Sequence, residues 1–84
     1  MEETKIFKIL SSKIRVEILK KLSIKDTCAK ELSNLIGKRS PKICDELATL
    51  RRYKIVTSYP VGIKTFNHLE DTRFINIIKF TERQ

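Results

Sequence analysis

The sequence predicts a mainly α-helical domain with one small β-hairpin, in the order α-α-α-α-β-β-α. Three observations carry that prediction. Apolar residues recur at helical spacing as far as Arg52. Gly37 and Ser40-Pro41 interrupt that stretch with a tight turn. Beyond Tyr53 the pattern shifts to β-branched and aromatic residues on either side of Pro60-Val61-Gly62.

The first helix, about 2–10, places Ile6, Phe7 and Leu10 on one face with Ile9 nearby, and its acidic start Glu2-Glu3 suits the helix dipole. A helix this short needs another element or subunit to pack on. Ser11-Ser12 offers a break and a new N-cap. The second helix runs from about Lys13 to Leu22, with Ile14, Ile18 and Leu22 as its stripe, Val16 and Leu19 widening it, and Arg15 and Lys21 on its solvated side. Residues 27–52 read as two helices and a turn. The first spans about Thr27 to Ile36, with acceptor side chains in Asp26 and Thr27 at its start and an apolar stripe of Ala29, Leu32 and Ile36 beside Leu35. Gly37 closes it in the left-handed conformation. Ser40 then caps, and Pro41 opens, a helix whose apolar Ile43, Leu47 and Leu50 leave Lys42, Asp45, Thr49 and Arg52 outward. The hairpin, 54–69, pairs Lys54–Tyr59 with Ile63–Leu69 around the Pro60-Val61-Gly62 turn. Asp71-Thr72 caps a last helix, about 72–82, with Phe74, Ile77, Ile78 and Thr81 on one face, Ile75 alongside, and a polar tail Glu82-Arg83-Gln84.

The 84 residues, 40% hydrophobic and 33% charged, fit one folded domain, 1–84. A net charge of +8 implies an anionic partner, nucleic acid or an anionic membrane surface. The most apolar run, Phe74 to Phe80, is too short to span a bilayer and no leader opens the chain, so the expected setting is cytoplasmic, without a membrane partner. No glycine-rich phosphate loop and no Ser/His/Asp or Cys/His arrangement is present, which argues against an enzyme. His68 reads as a strand surface residue with no nearby acid. Two cysteines and one histidine are too few for a metal centre, and neither a cofactor nor a small-molecule effector is evident. Cys28 and Cys44 read as small core-flanking thiols, with a redox pair as the alternative.

A helix, a glycine turn and a second helix flanked by Lys38, Arg39 and Lys42 is a form that enters a DNA major groove. Those three cations would meet phosphates or guanine edges, Ser40 and Thr49 would hydrogen-bond nearby groups, and Lys64 would brace the hairpin, as a wing, on the backbone. Ile6, Phe7 and Leu10 of the first helix, with Phe74, Ile75 and Ile78 of the last, offer more apolar surface than self-burial needs, so they are expected to join two copies about a two-fold axis. Two other readings stay open: a protein-interaction adaptor, for which Asp45 and Glu46 would suit a basic partner, and a sequence-neutral chromosomal DNA-binding protein.

Leu10-Ser11-Ser12-Lys13-Ile14-Arg15-Val16-Glu17-Ile18-Leu19 resembles the opening motif of winged helix-turn-helix regulators of the ArsR/SmtB, or arsenical-repressor, family. Glu31-Leu32 to Gly37, Pro41-Lys42-Ile43, Leu47, Leu50-Arg51 and Ile55-Val56 keep that family's spacing. The resemblance covers about residues 10–69. It implies a homodimer joined by first and last helices, with DNA contacts at Arg39, Ser40, Lys42, Asp45 and Glu46. Asp45 and Glu46 stand where the family usually carries basic or His residues, and Tyr53-Lys54 replaces its usual glycine turn before the wing. The family's metal ligands are missing: Cys28-Ala29-Lys30 supplies one thiol where a pair is needed, and the last helix has no His.

Overall fold

Capping residues and turns divide the described residues into eight elements. The computed structural model describes residues 3–82, so the acidic start at Glu2 and the polar tail Arg83-Gln84 lie outside the described residues. In chain order the elements are α1 (Glu3–Leu10), α2 (Lys13–Ile24), β1 (Thr27–Cys28), α3 (Ala29–Ile36), α4 (Ser40–Arg52), β2 (Val56–Val61), β3 (Lys64–Leu69) and α5 (Arg73–Glu82). This is a winged helix-turn-helix, mostly helical with a small antiparallel sheet.

Ser12 caps α2 as expected, its hydroxyl accepting the Arg15 backbone N–H at 3.3 Å. The buried Ile18, Leu19 and Leu22 put α2 at the centre of the molecule, where α1, α3, α4, α5 and β3 all pack against it. Leu32 of α3 and Ile43, Leu47 and Leu50 of α4 join that core, each removed from water at a gain of roughly 1.5–3 kcal/mol. On α1 the residue buried in the chain's own core is Ile9, while Phe7 stands 70% exposed.

The sheet departs from the expected hairpin. Thr27 and Cys28 do not begin a helix; they form β1, paired antiparallel with β3 in the register Thr27 to Asn67 and Cys28 to Phe66. The strand order is β1-β3-β2. Neither Asp26 nor Thr27 caps α3, because the Thr27 hydroxyl donates to the Lys25 carbonyl at 2.9 Å and the Asp26 carboxylate is engaged by Tyr59 and His68. Buried Asn67 donates to the Thr27 carbonyl at 2.9 Å and accepts from Ser58 at 2.9 Å, tying all three strands together.

The hairpin turn is Gly62-Ile63, with Gly62 at φ 62°, and not Pro60-Val61-Gly62. Pro60 lies within β2 opposite Thr65; β2 is an edge strand, where a missing N–H does not break the ladder.

α4 ends in a left-handed Lys54 (φ 61°), with Lys54 N–H donating to Arg51 at 2.9 Å and Ile55 N–H to Leu50 at 3.0 Å. That is a Schellman closure, in the place where the sequence lacks glycine.

At the carboxyl end Asp71 accepts the Arg73 backbone N–H at 3.2 Å and pairs with its guanidinium. Phe74 and Ile78 are buried in the chain's own core, so the expectation that they face a second copy is corrected: α5 uses them to pack on α2. Ile6, Leu10 and Ile75 are partly buried against the same core. The apolar rings that α1 and α5 leave outside are Phe7 and Phe80, the latter 66% exposed.

Candidate nucleic-acid interface

The amino end of α4 is set by the turn before it. Gly37 takes φ 80°, ψ 30° and its N–H donates to the Ser33 carbonyl at 2.9 Å, which ends α3 as the sequence predicted. The Ser33 hydroxyl donates to the Lys38 carbonyl, so the turn is held from both sides. α4 then begins one residue earlier than expected. Arg39 is the extended cap residue, its carbonyl accepting from Lys42 and Ile43 at 3.0 and 3.1 Å, and Ser40 is already inside the helix. The Arg39 side chain makes no capping bond. Lys38, Arg39, Ser40, Pro41 and Lys42 are all exposed, and together with the helix dipole they make this end electropositive.

The outer face of α4 carries exposed Pro41, Cys44, Asp45, Ala48, Arg51 and Arg52. Thr49 is half-buried and its hydroxyl donates to the Asp45 carbonyl at 3.3 Å, so its capacity is partly taken up within the helix. Sequence reasoning passed over Ala48 and Arg51 as surface candidates; the signal was present in the spacing of Cys44, Ala48 and Arg51, at steps of four and three residues. Arg51 Nη1 donates to Ser58 at 3.3 Å, which fixes the last turn of α4 to the wing. Lys64 is exposed at the start of β3, next to the wing tip, where Ile63 projects fully into solvent.

Glu46 is not on that face. It is 8% exposed, with Arg15 Nε at 3.4 Å, Lys42 Nζ at 3.8 Å and a 3.2 Å hydrogen bond from the Ser12 hydroxyl. This corrects two expectations, Glu46 as a DNA contact and Arg15 as a solvated side chain. The stripe of Ile43, Leu47 and Leu50 turns Glu46 toward α2, where the neighbouring cations and the Ser12 hydroxyl offset burial of its carboxylate.

A second polar cluster lies at the base of the wing. His68 Nδ1 is 2.8 Å from Asp26 Oδ1, and Tyr59 donates its hydroxyl to the other oxygen of Asp26. Glu70 lies 3.8 Å from Nε2. His68 therefore does have acids beside it, contrary to the sequence reading. The hydrogen bond to Asp26 raises the imidazole pKa above its ordinary value. The Tyr59 hydroxyl and then His68 lower that of Asp26, and Tyr59 itself is raised. Among the described residues no group of three His, Cys, Asp or Glu side chains is placed to hold a metal ion. Cys28 is buried in β1 and Cys44 is exposed on α4, both as free thiols. No helix among the described residues is long and apolar enough to cross a membrane.

Residues 12–58 match the model of a family described as bacterial regulatory protein, arsR family. The HTH-type transcriptional regulator KmtR of Mycobacterium tuberculosis (strain ATCC 25618 / H37Rv) is 30% identical over 66 residues, covering 79% of this chain and 51% of that protein. The chain thus spans about half the length of the curated relative it matches. The transcriptional repressor BigR from Xylella fastidiosa superposes with a TM-score of 0.84 at 22% identity, covering 90% of this chain and 78% of that one. The homodimeric winged helix-turn-helix DNA-binding domain Mb0332 from Mycobacterium bovis superposes with a TM-score of 0.80 at 14% identity, covering 94% and 73%. Both structures share the fold described above.

Proposed function

The chain belongs to the arsR family of bacterial regulatory proteins, and from that membership we propose that it is a cytoplasmic, homodimeric regulator of transcription that binds specific sites in double-stranded DNA. That family and this fold are those of DNA-binding regulators and not of enzymes. The observation that carries the reading is the amino end of α4, where Lys38, Arg39 and Ser40 stand exposed beside an outer face of small and polar side chains. Such an end, entered into the major groove, lets Lys38 and Ser40 take phosphates while Arg39 reaches a guanine edge. Cys44 and Ala48 are small enough for close approach, and Asp45 can accept from a cytosine amino group. Lys64 braces the wing on the backbone.

Two copies are joined in this reading through α1 and α5, where Phe7 and Phe80 remain uncovered in the single chain. The adaptor alternative loses support, because the burial of Glu46 leaves Asp45 as a lone carboxylate on the exposed face.

The test is binding to random and selected duplexes across a salt series. With about six to eight phosphate contacts per dimer, log affinity should fall with log salt at a slope of about −5 to −7. Selected sites should be two-fold symmetric with half-sites roughly 34 Å apart. A flat salt response refutes the proposal, and equal affinity for every duplex reduces it to sequence-neutral coating.

A further inference from the structure

Glu46 joins three helices. Its carboxylate receives the Ser12 hydroxyl at 3.2 Å and faces Arg15 Nε at 3.4 Å, while Arg15 Nη1 donates to the Lys8 carbonyl at 3.4 Å, at the end of α1. Arg15 Nε is buried and makes no hydrogen bond, so the charge of Glu46 is what offsets its loss of water. Lys42 differs in being at the rim: its side chain is 55% exposed and its ammonium leans 3.8 Å from the same carboxylate. A phosphate arriving at the amino end of α4 would compete with Glu46 for that ammonium.

Resting on the DNA-binding reading above, we propose that Glu46 is a positioning residue that limits sequence-neutral affinity: it seats α4 on α2 through Ser12 and Arg15, and it draws the Lys42 ammonium back from the phosphate backbone. Sequence-neutral binding is the sum of cation–phosphate contacts, whereas discrimination comes from base edges. Restraining one cation in each subunit lowers affinity for random duplex and leaves the Arg39 contact in place. Affinity for random and selected duplexes therefore falls alike, and the preference between them is left to Arg39.

The experiment measures binding of the full chain to a random duplex and to a selected site across a salt series. Glu46→Gln keeps an oxygen acceptor for Ser12, removes the charge that holds Lys42 and also leaves Arg15 without its counter-charge, so circular dichroism must first show the native helical signal. It should raise random-duplex affinity about five- to tenfold per subunit at about 0.1 M salt and steepen the slope by about one per subunit. Adding Lys42→Ala should return the slope to native. Adding Lys79→Ala instead, on α5, restores the same net charge and should leave the slope steep. An unchanged slope in Glu46→Gln, equal cancellation by Lys79→Ala, or loss of site preference without a gain on random duplex each overturns the proposal. Lys42→Ala alone gives a check that leaves Glu46 untouched: it should reduce the slope by less than half the reduction from Lys38→Ala, and an equal reduction overturns the proposal. Native protein that shows no salt-dependent binding refutes the DNA-binding reading itself, an outcome distinct from all of these.

Discussion

The side chains of Asp26 and His68 meet at 2.8 Å, joining the segment before β1 to the middle strand of the wing. Asp26 also accepts the Tyr59 hydroxyl, so one carboxylate holds both long strands. Because His68 has a raised folded pKa, its contribution to stability is complete below about 6.5, the unfolded value, and is lost as pH rises through the folded one. Asp26, with a lowered pKa, contributes above its unfolded value of about 3.9 and loses that contribution as pH falls through the folded one. The chain has one histidine, so its imidazole resonances follow the titration without ambiguity. The midpoint should lie above 6.5 in the native protein and fall on Asp26→Asn; no difference between the two would show that the contact does not form in solution.

Lys54 holds a left-handed conformation at the end of α4, at a cost that glycine would not incur. Lys54→Gly is expected to stabilise the fold by about 0.5–1 kcal/mol, after the greater unfolded-state freedom of glycine is deducted, or roughly 2–8 °C in Tm. Lys54→Ala, which keeps a Cβ, should give no such gain. Thermal melts of the two variants side by side decide the matter.

Phe80 and Phe74 lie on one helix but face different surroundings, the first exposed and the second buried at 2% exposure. On the dimeric reading, Phe80→Glu, alone or with Phe7→Glu, should shift sedimentation from dimer to monomer while far-UV circular dichroism keeps its helical signal. Phe74→Ala should instead unfold the domain or cost about 3–5 kcal/mol. A dimer that survives both surface charges would mean that the copies meet elsewhere.

Arg39 and Lys64 are assigned different duties on DNA. Arg39→Ala should reduce the preference for a selected site over random duplex by about tenfold or more, the worth of a bidentate base contact of about 1–3 kcal/mol. Lys64→Ala should weaken both duplexes alike and lower the salt slope by about one per subunit. Equal losses on both duplexes from both variants would remove the distinction.

The local punctuation was readable in advance. Ser12 as a cap, Gly37 as a helix stop and the change of period after Tyr53 each act through a neighbouring backbone group, so spacing alone located α2, the turn and the wing. What escaped depends on partners distant in the chain. β1 is two residues long, too short for any period, and exists because Thr27 and Cys28 meet Asn67 and Phe66. Glu46 looked like a surface carboxylate until Ser12 and Arg15 were placed beneath it. The spacing put Phe74 and not Phe80 toward a partner, whereas the packing of α5 on α2 buries Phe74 and leaves Phe80 exposed.

The pairing of β1 with β3 has a mechanical result. Asn67 ties Thr27 and Ser58 to the same strand, and Ser58 in turn accepts from Arg51, so a line of side-chain hydrogen bonds links the wing to the last turn of α4 and opposes a swing between them. On the dimeric reading, any give needed to follow a bent duplex or an unevenly spaced operator then falls to the joint between the two copies. On that same reading, the compliance of the joint, more than the reach of the wing, sets how much irregularity in an operator is tolerated.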